Sequence, residues 1–414
     1  MEYYAKSKKV QFTSERINEI KKNMKNIEEC LKENLTETDV EILNSSITDI
    51  AEKTEEKQKT LKEHHKDIVT CAEMFFLEYG EYFTEKEKKL VVEACRIHDL
   101  GKVNLVFQAM ICPKLAEKFH IDVRKTSQIP HGFLSAVTIS LDEFDDLSEL
   151  FSDKDFGPFI TAVYYHHDRE DHYNSPAIRK YAEKYYMKQI EEYLNRKIRK
   201  LNCSNLDDLL FRNNVYTGKY IPDSNAWKEY LLIKGLLNKF DYTVSAGYEN
   251  AESAIDLHEK KLVKNIEKFL NGKELRPAQK FMKMNRDKNL IVIAPTGSGK
   301  TEASLLWMNG EKSFYTLPLK VSSNAIYLRI KENYEYKDVA LLHSDAMAVY
   351  LREYNGNEDI GEKYERSKML SQPLTVCTVD QLFRFVYRAL GTEIFAATLK
   401  YSKLVLDEIQ AYEP

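Results

Sequence analysis

The sequence predicts a multidomain chain, an all-helical half followed by an α/β half built on a parallel sheet. Three observations carry this. Gly and Pro together make up about 6% of the 414 residues, half of average usage, which favours helix over turn-rich all-β folds. Up to about residue 255, apolar residues recur at helical spacing with little strand signal. Beyond it, short β-rich apolar runs alternate with helical segments, the pattern of a parallel sheet covered on both faces.

Residues 10–60 are dense in mixed charge, and Ile17, Ile20, Met24, Ile27 and Leu31 are spaced for amphipathic helices. In the next helix Leu61, His65, Ile68, Ala72, Phe75 and Tyr79 make one face, although helical phase leaves either His64 or His65 to point inward. Residues 86–98 form another helix through Leu90, Val91, Ala94, Cys95 and Ile97, with Gly101 as a C-terminal cap. Residues 159–167 and 226–246 are also expected to be helical. The expected strands are Leu290–Ile293, Phe314–Leu317, Val339–Leu342, Leu374–Val376 and Leu404–Leu406. The division falls between residues 1–255 and 256–414.

The 61 basic and 65 acidic residues give a net charge of −4, which excludes a basic coat over the whole surface but not a local basic groove. At 43% hydrophobic residues the chain is too apolar to be disordered. No stretch approaches the roughly 20 apolar residues of a membrane span, so no membrane partner is expected. Cys30, Cys71, Cys95, Cys112, Cys203 and Cys377 contain no C-x-x-C pair and read as free thiols of a reducing cytoplasm.

Histidines cluster in the helical half. His64-His65, His98-Asp99, His131 and His166-His167-Asp168 fall within 105 residues. Singly, each is a structural or surface residue. Together, imidazoles beside carboxylates suit first-row metals such as Mn, Fe, Ni or Co. On a helix, His166 and His167 point about 100° apart and cannot both face solvent on one side, so one or both must turn inward. Lys102 either stabilises phosphate charge or is a cation at a helix C-terminus.

The run His98-Asp99-Leu100-Gly101-Lys102 resembles the signature of the HD phosphohydrolase superfamily. With His131-Gly132-Phe133-Leu134-Ser135-Ala136 and Tyr165-His166-His167, it is similar to the HD nuclease domain of the CRISPR-associated helicase–nucleases of type I systems. That resemblance implies one or two ions held by His64, His98, Asp99, His131, His166, His167 and Asp241, with Asp99 as the bridge. Its L-x-E-H lead-in, here Leu61-Lys62-Glu63-His64, favours His64 over His65. Asp241 matches the family's late Asp, which a Ser follows four residues on, here Ser245. His120, His258 and His343 match nothing.

The second half carries a nucleotide site. Ala294-Pro295-Thr296-Gly297-Ser298-Gly299-Lys300-Thr301 is a Walker A loop except that Ala294 replaces the first Gly. Backbone amides of Gly297, Ser298 and Gly299 and the following helix N-terminus cradle phosphate, Lys300 reaches the β- and γ-phosphates, and Thr301 binds Mg²⁺. Leu404-Val405-Leu406-Asp407-Glu408 is a Walker B: Asp407 positions Mg²⁺ and Glu408 orients the attacking water. The Walker A form resembles superfamily 2 helicases. Thr316–Lys320 and Cys377–Leu382 resemble their backbone-gripping motifs, and Leu275–Gln279 their adenine-recognising Q motif, with Gln279 as the base contact.

The resemblance implies an all-α HD domain joined to a RecA-like first lobe of a helicase. The expected activity is metal-dependent cleavage of single-stranded DNA with an RNA-guided CRISPR surveillance complex, and the expected cofactors are the HD-site metal and ATP with Mg. An HD-type nucleotide phosphohydrolase with a regulatory ATP-binding module is the alternative. The chain ends directly after Walker B, so helicase activity is expected only with a second lobe that supplies the arginine fingers. Residues 179–200 interleave Lys and Arg with Tyr181, Tyr185, Tyr186 and Tyr193. They read as a solvated amphipathic helix or as a strip that stacks bases.

Overall fold

The computed structural model describes residues 1–5, 59–139, 156–167, 175–198, 225–253, 259–353, 360–387 and 391–412. The expected helices before residue 59 lie outside the described residues, as do Cys30, Asp168, His172, Cys203 and His258. The described residues fall into two compact units: a helical one within 1–251 joined by 391–397, and an α/β one within 252–387 and 398–412.

The helical unit contains α1 (Leu61–Tyr79), α2 (Glu85–Ile97), α3 (Leu105–Ile111), α4 (Pro113–Lys118), α5 (His131–Thr138), α6 (Phe156–Tyr164), α7 (Ser175–Tyr185), α8 (Met187–Leu194) and α9 (Asn225–Ser245). Two capping boxes start α1 and α2: the Thr60 and Thr84 hydroxyls accept from the backbone N–H groups of Glu63 and Glu87, whose carboxylates reach back to the caps. Helix α9 packs against α1, α2 and α6, and α5 packs against α6 and the 3₁₀ turn Leu100–Val103. The sequence pattern put His65 on the apolar face of α1. In the structure His64 is the fully buried one and His65 is partly exposed.

The α/β unit contains α10 (Lys261–Leu270), α11 (Pro277–Met284), α12 (Lys300–Met308), β1 (Ser313–Leu317), α13 (Lys320–Glu332), β2 (Val339–Leu342), α14 (Ala346–Arg352), α15 (Ile360–Lys368), β3 (Leu374–Thr378), α16 (Val379–Leu382) and β4 (Lys403–Leu406). Its sheet is parallel, in the order β2-β3-β1-β4. Every residue of β1, β2 and β3 is buried, as the continuous apolar runs require, whereas β4 is only partly covered.

One expected strand is absent from this sheet. The run Leu290–Ile293 pairs with no strand among the described residues, and Ile291 and Ile293 are 91% and 97% exposed. β-propensity reports fit to a half-buried sheet, and without a neighbouring ladder it goes unrealised. The tyrosines of residues 179–198 serve the core. Tyr186 is fully buried with its hydroxyl 2.6 Å from that of Thr138, and Tyr181 donates to Asn104 at 2.9 Å.

Candidate metal centre and nucleotide cleft

Five chain segments bring the predicted histidines and carboxylates to one point. His98 caps the C-terminus of α2, and Asp99 follows at the head of the 3₁₀ turn. His64 comes from the N-terminal end of α1, His131 from the start of α5, and Asp241 from near the C-terminal end of α9. His166 and His167 lie just past the end of α6. One or both are expected to turn inward, and both reach the cluster, because the helix stops at Tyr164: His166 is buried and His167 stands at the rim. His166 Nε2 lies 3.5 Å from Asp99 Oδ1, and His167 Nε2 lies 3.1 Å from Asp241 Oδ2.

Asp99 is completely buried at the middle. Its Oδ2 faces His64 Nε2 (3.4 Å) and His98 Nε2 (3.3 Å), and its Oδ1 faces His131 Nε2 (3.4 Å). Lys102 Nζ donates to Oδ2 at 2.7 Å, so this lysine is an ion-pair partner of Asp99. His64 Nε2 also lies 3.1 Å from Asp241 Oδ1, which accepts a hydrogen bond from Ser245 Oγ at 3.1 Å.

Glycines permit this convergence. Gly101 has ordinary φ and is not a helix cap. A Cβ there would lie 2.0 Å from the His131 carbonyl oxygen, so only hydrogen lets the turn meet α5. The Gly101 N–H donates to Ser135 Oγ (2.8 Å), which donates to the His131 carbonyl (2.9 Å). A Cβ on Gly132 would lie 2.6 Å from the Tyr164 carbonyl oxygen, which accounts for how closely the His131 and His166 rings approach, 3.2 Å between their Nε2 atoms.

Backbone carbonyls fix two of the rings. His98 Nδ1 lies 3.0 Å from the Cys95 carbonyl and His166 Nδ1 2.6 Å from that of Val163. An Nδ1–H donated to a carbonyl leaves the Nε2 lone pair free to bind a cation. Burial raises the Asp99 carboxyl, but the charges of His98 and Lys102 and hydrogen bonds from His166 and His64 hold it well below the usual carboxylate range. Asp241 is depressed in the same way, against its burial, by hydrogen bonds from His167 and His64. Burial, reinforced by His167, brings His166 down to about 4. Burial lowers His64 too, but the two aspartates outweigh it and leave His64 raised. His65 turns toward Tyr193, whose hydroxyl lies 3.1 Å from its Nδ1.

The donor set fits a cation. Both His64 ring nitrogens, His98 Nε2 and Asp99 Oδ1 are buried and make no well-aligned hydrogen bond within the protein. Three overlapping sets place their donor atoms within 4.8 Å of one another: His64, His98 and Asp241; His98, Asp99 and His166; His131, His166 and His167. The last set borders a cavity of about 290 Å³, where His167 is 35% exposed.

In the α/β unit a cleft of about 920 Å³ is lined by Gln279, Thr296, Gly297, Gly299, Lys300, Thr301, Asp407 and Glu408. Gly297 and Gly299 have φ of +77° and +84°, the left-handed backbone that a phosphate loop needs. Lys300 Nζ donates to the Ala294 carbonyl at 3.2 Å. Ser298 borders a separate pocket beside Ile291 and Ile293, and its N–H donates to the Pro295 carbonyl at 3.2 Å. Gln279 is buried: its Oε1 caps Arg276 N at 3.0 Å, and its Nε2 donates to the Gly299 carbonyl at 3.4 Å. It therefore ties α11 to the phosphate loop. Two cleft neighbours carry no motif signal. Arg329 is anchored by buried Glu302, and Tyr315 donates to Asp407.

Residues 51–226 match the family described as Cas3, HD domain, and residues 277–413 match the DEAD/DEAH box helicases. The chain thus carries a Cas3-type HD domain followed by a DEAD/DEAH-type helicase region, the combination found in the Cas3 nuclease/helicases. The CRISPR-associated nuclease/helicase Cas3 of Methanothermobacter thermautotrophicus is 24% identical over 426 residues, covering 87% of this chain and 50% of that protein. The crystal structure of T. fusca Cas3 shares the fold at 18% identity and a TM-score of 0.57, over 86% of this chain and 45% of that one. Its AMPPNP form matches at 17% identity and a TM-score of 0.55, over 86% and 46%. The chain thus spans about half the length of these Cas3 relatives. Asp241 lies beyond the span matched to the Cas3 HD domain, and the geometry alone brings it into the cluster.

Gly101→Ala is expected to lower stability by about 1–3 kcal/mol, the usual scale of overpacking, because the new methyl collides with backbone. Gly272, with open space around its would-be Cβ but φ of +71°, provides the comparison for backbone strain without collision. Denaturant unfolding of both alanine variants checks this. A Gly101→Ala protein as stable as wild type would show that the close approach is not required.

Proposed function

We propose that the histidine–carboxylate cluster is a divalent-metal nuclease site acting on single-stranded DNA. In this reading the α/β lobe binds ATP with Mg, and the protein works with an RNA-guided surveillance complex in type I CRISPR interference in the cytoplasm. The observation that supports it most is the convergence of five imidazoles on two buried carboxylates, with ring nitrogens left unpartnered. The related T. fusca Cas3 structures with ATP, ADP and AMPPNP support the nucleotide reading.

His64, His98 and Asp241 would hold an inner ion, and His131, His166 and His167 an outer one, with Asp99 between them. Divalent ions there supply Lewis acidity toward a phosphodiester and ease deprotonation of a water near neutral pH. The protein contributes the rest. Carbonyl hydrogen bonds orient the rings, and Lys102 balances the charge of Asp99. His131 and His167 form the open rim, so a phosphodiester approaches from their side. Mn, Fe, Ni and Co all match this nitrogen–oxygen donor set.

Asp99→Ala is expected to abolish cleavage of single-stranded DNA and to lower metal content, whereas exposed His120→Ala does neither. Fluorescent oligonucleotide cleavage with added Mn²⁺, Ni²⁺ or Co²⁺ and without ATP tests both. Normal cleavage by the Asp99→Ala protein would sink the assignment, and release of nucleotides from free dNTPs in preference to DNA would favour the phosphohydrolase alternative.

The raised His64 pKa sets a pH dependence. Metal-free protein carries a proton on His64 at and somewhat above its ordinary 6.5, and an ion binding there displaces it. Metal affinity therefore falls as pH drops below that raised value, by about tenfold per unit for one displaced proton. Calorimetric titration with Mn²⁺ in buffers of different ionisation enthalpy reads both affinity and proton release. An affinity unchanged across the range would contradict the ion-paired state of His64.

A further inference from the structure

Tyr315 sits in the middle of β1, fully buried, on the opposite face of the strand from Phe314 and Thr316. Its hydroxyl donates to Asp407 Oδ2 at 2.5 Å, and the Thr301 side chain lies near the same hydroxyl. One hydroxyl thus holds the Walker B aspartate beside the Walker A threonine. The other carboxylate oxygen, Oδ1, accepts from the Glu408 N–H at 2.9 Å, and the Asp407 N–H donates to the Thr316 carbonyl at 3.0 Å. Backbone and both carboxylate oxygens of Asp407 are therefore held, and Tyr315 supplies the one side-chain restraint.

We infer that Tyr315 is a positioning residue for the Mg²⁺ of the nucleotide cleft, holding Asp407 in place before nucleotide arrives. The inference rests on the reading of this cleft as an ATP–Mg site. A carboxylate free to rotate must be ordered when the cation binds, whereas one already held by a buried donor is not. Burial, together with the charge of Asp407, raises the tyrosine pKa well above its usual value, so the hydroxyl stays a donor throughout the neutral range. Tyr315 contacts neither phosphate nor base in this arrangement. Its influence passes through Asp407 and is confined to the metal-dependent part of binding.

The test is the affinity of the 414-residue protein for a fluorescent ATP analogue, measured with Mg²⁺ and with EDTA, for wild type, Tyr315→Phe and Lys300→Ala. Phe keeps the ring and removes only the hydroxyl. Wild type is expected to bind more tightly with Mg²⁺. In Tyr315→Phe that tightening shrinks by about tenfold, the scale of one hydrogen bond to a charged group, while affinity in EDTA stays within about twofold of wild type. Equal Mg²⁺ tightening in wild type and Tyr315→Phe overturns the inference. So does equal weakening of Tyr315→Phe with and without Mg²⁺, which makes the tyrosine a packing residue. If wild type binds no better than Lys300→Ala under either condition, the nucleotide reading itself falls, and the inference with it.

Discussion

The helical unit is organised around the burial of one carboxylate. Asp99 has no exposed surface, and an ionised carboxylate removed from water is costly unless charge and hydrogen bonds compensate it. Four imidazole Nε2 atoms at 3.3–3.5 Å and an ammonium at 2.7 Å provide that compensation. Each comes from a different turn or helix, so packing of α1, α2, α5 and α6 and the state of Asp99 are one problem. Such an arrangement is strained as a purely structural device, because several buried nitrogens remain unpartnered. A divalent cation would relieve that imbalance. The same groups that make the cluster electrostatically demanding thus suit it to hold a metal.

Much of this was legible in the sequence, and the failures are physical. The capped helices, the His-Asp pair and the buried parallel strands follow from local pattern, and the structure has them. His64 and His65 could not be separated by phase alone, because a helical face is wider than one residue. The structure separates them through Asp241, far along the chain from any local signal and supplied by α9. Helical spacing alone could not say whether one or both of His166 and His167 turn inward, and the helix end at Tyr164 lets both reach the aspartates. Gly101 looked like a cap, and its real constraint is the His131 carbonyl on another element. Leu290–Ile293 has the composition of a strand, but pairing depends on a neighbour that composition cannot supply.

The nucleotide cleft shows the same division. Its phosphate loop is a contiguous motif, readable because the chemistry needs glycines with positive φ followed by a helix N-terminus. Gln279 fits its motif, yet in the structure its amide spans Arg276 and Gly299, so its position depends on contacts to the phosphate loop. Tyr315 and Arg329 have no motif at all. Their placement is set by strand alternation in β1 and by the buried Glu302, which only the folded sheet and its helices bring into range.

The central claim is that the cluster around Asp99 is a metal centre in its own right, assembled entirely from the helical unit. Crystals of the protein grown with Mn²⁺, with anomalous differences collected near the manganese edge, address it most directly. The account predicts one or two peaks enclosed by His64, His98, Asp99, His131, His166, His167 and Asp241. An anomalous map with no density among these residues, from crystals saturated with Mn²⁺ at neutral pH, would contradict it.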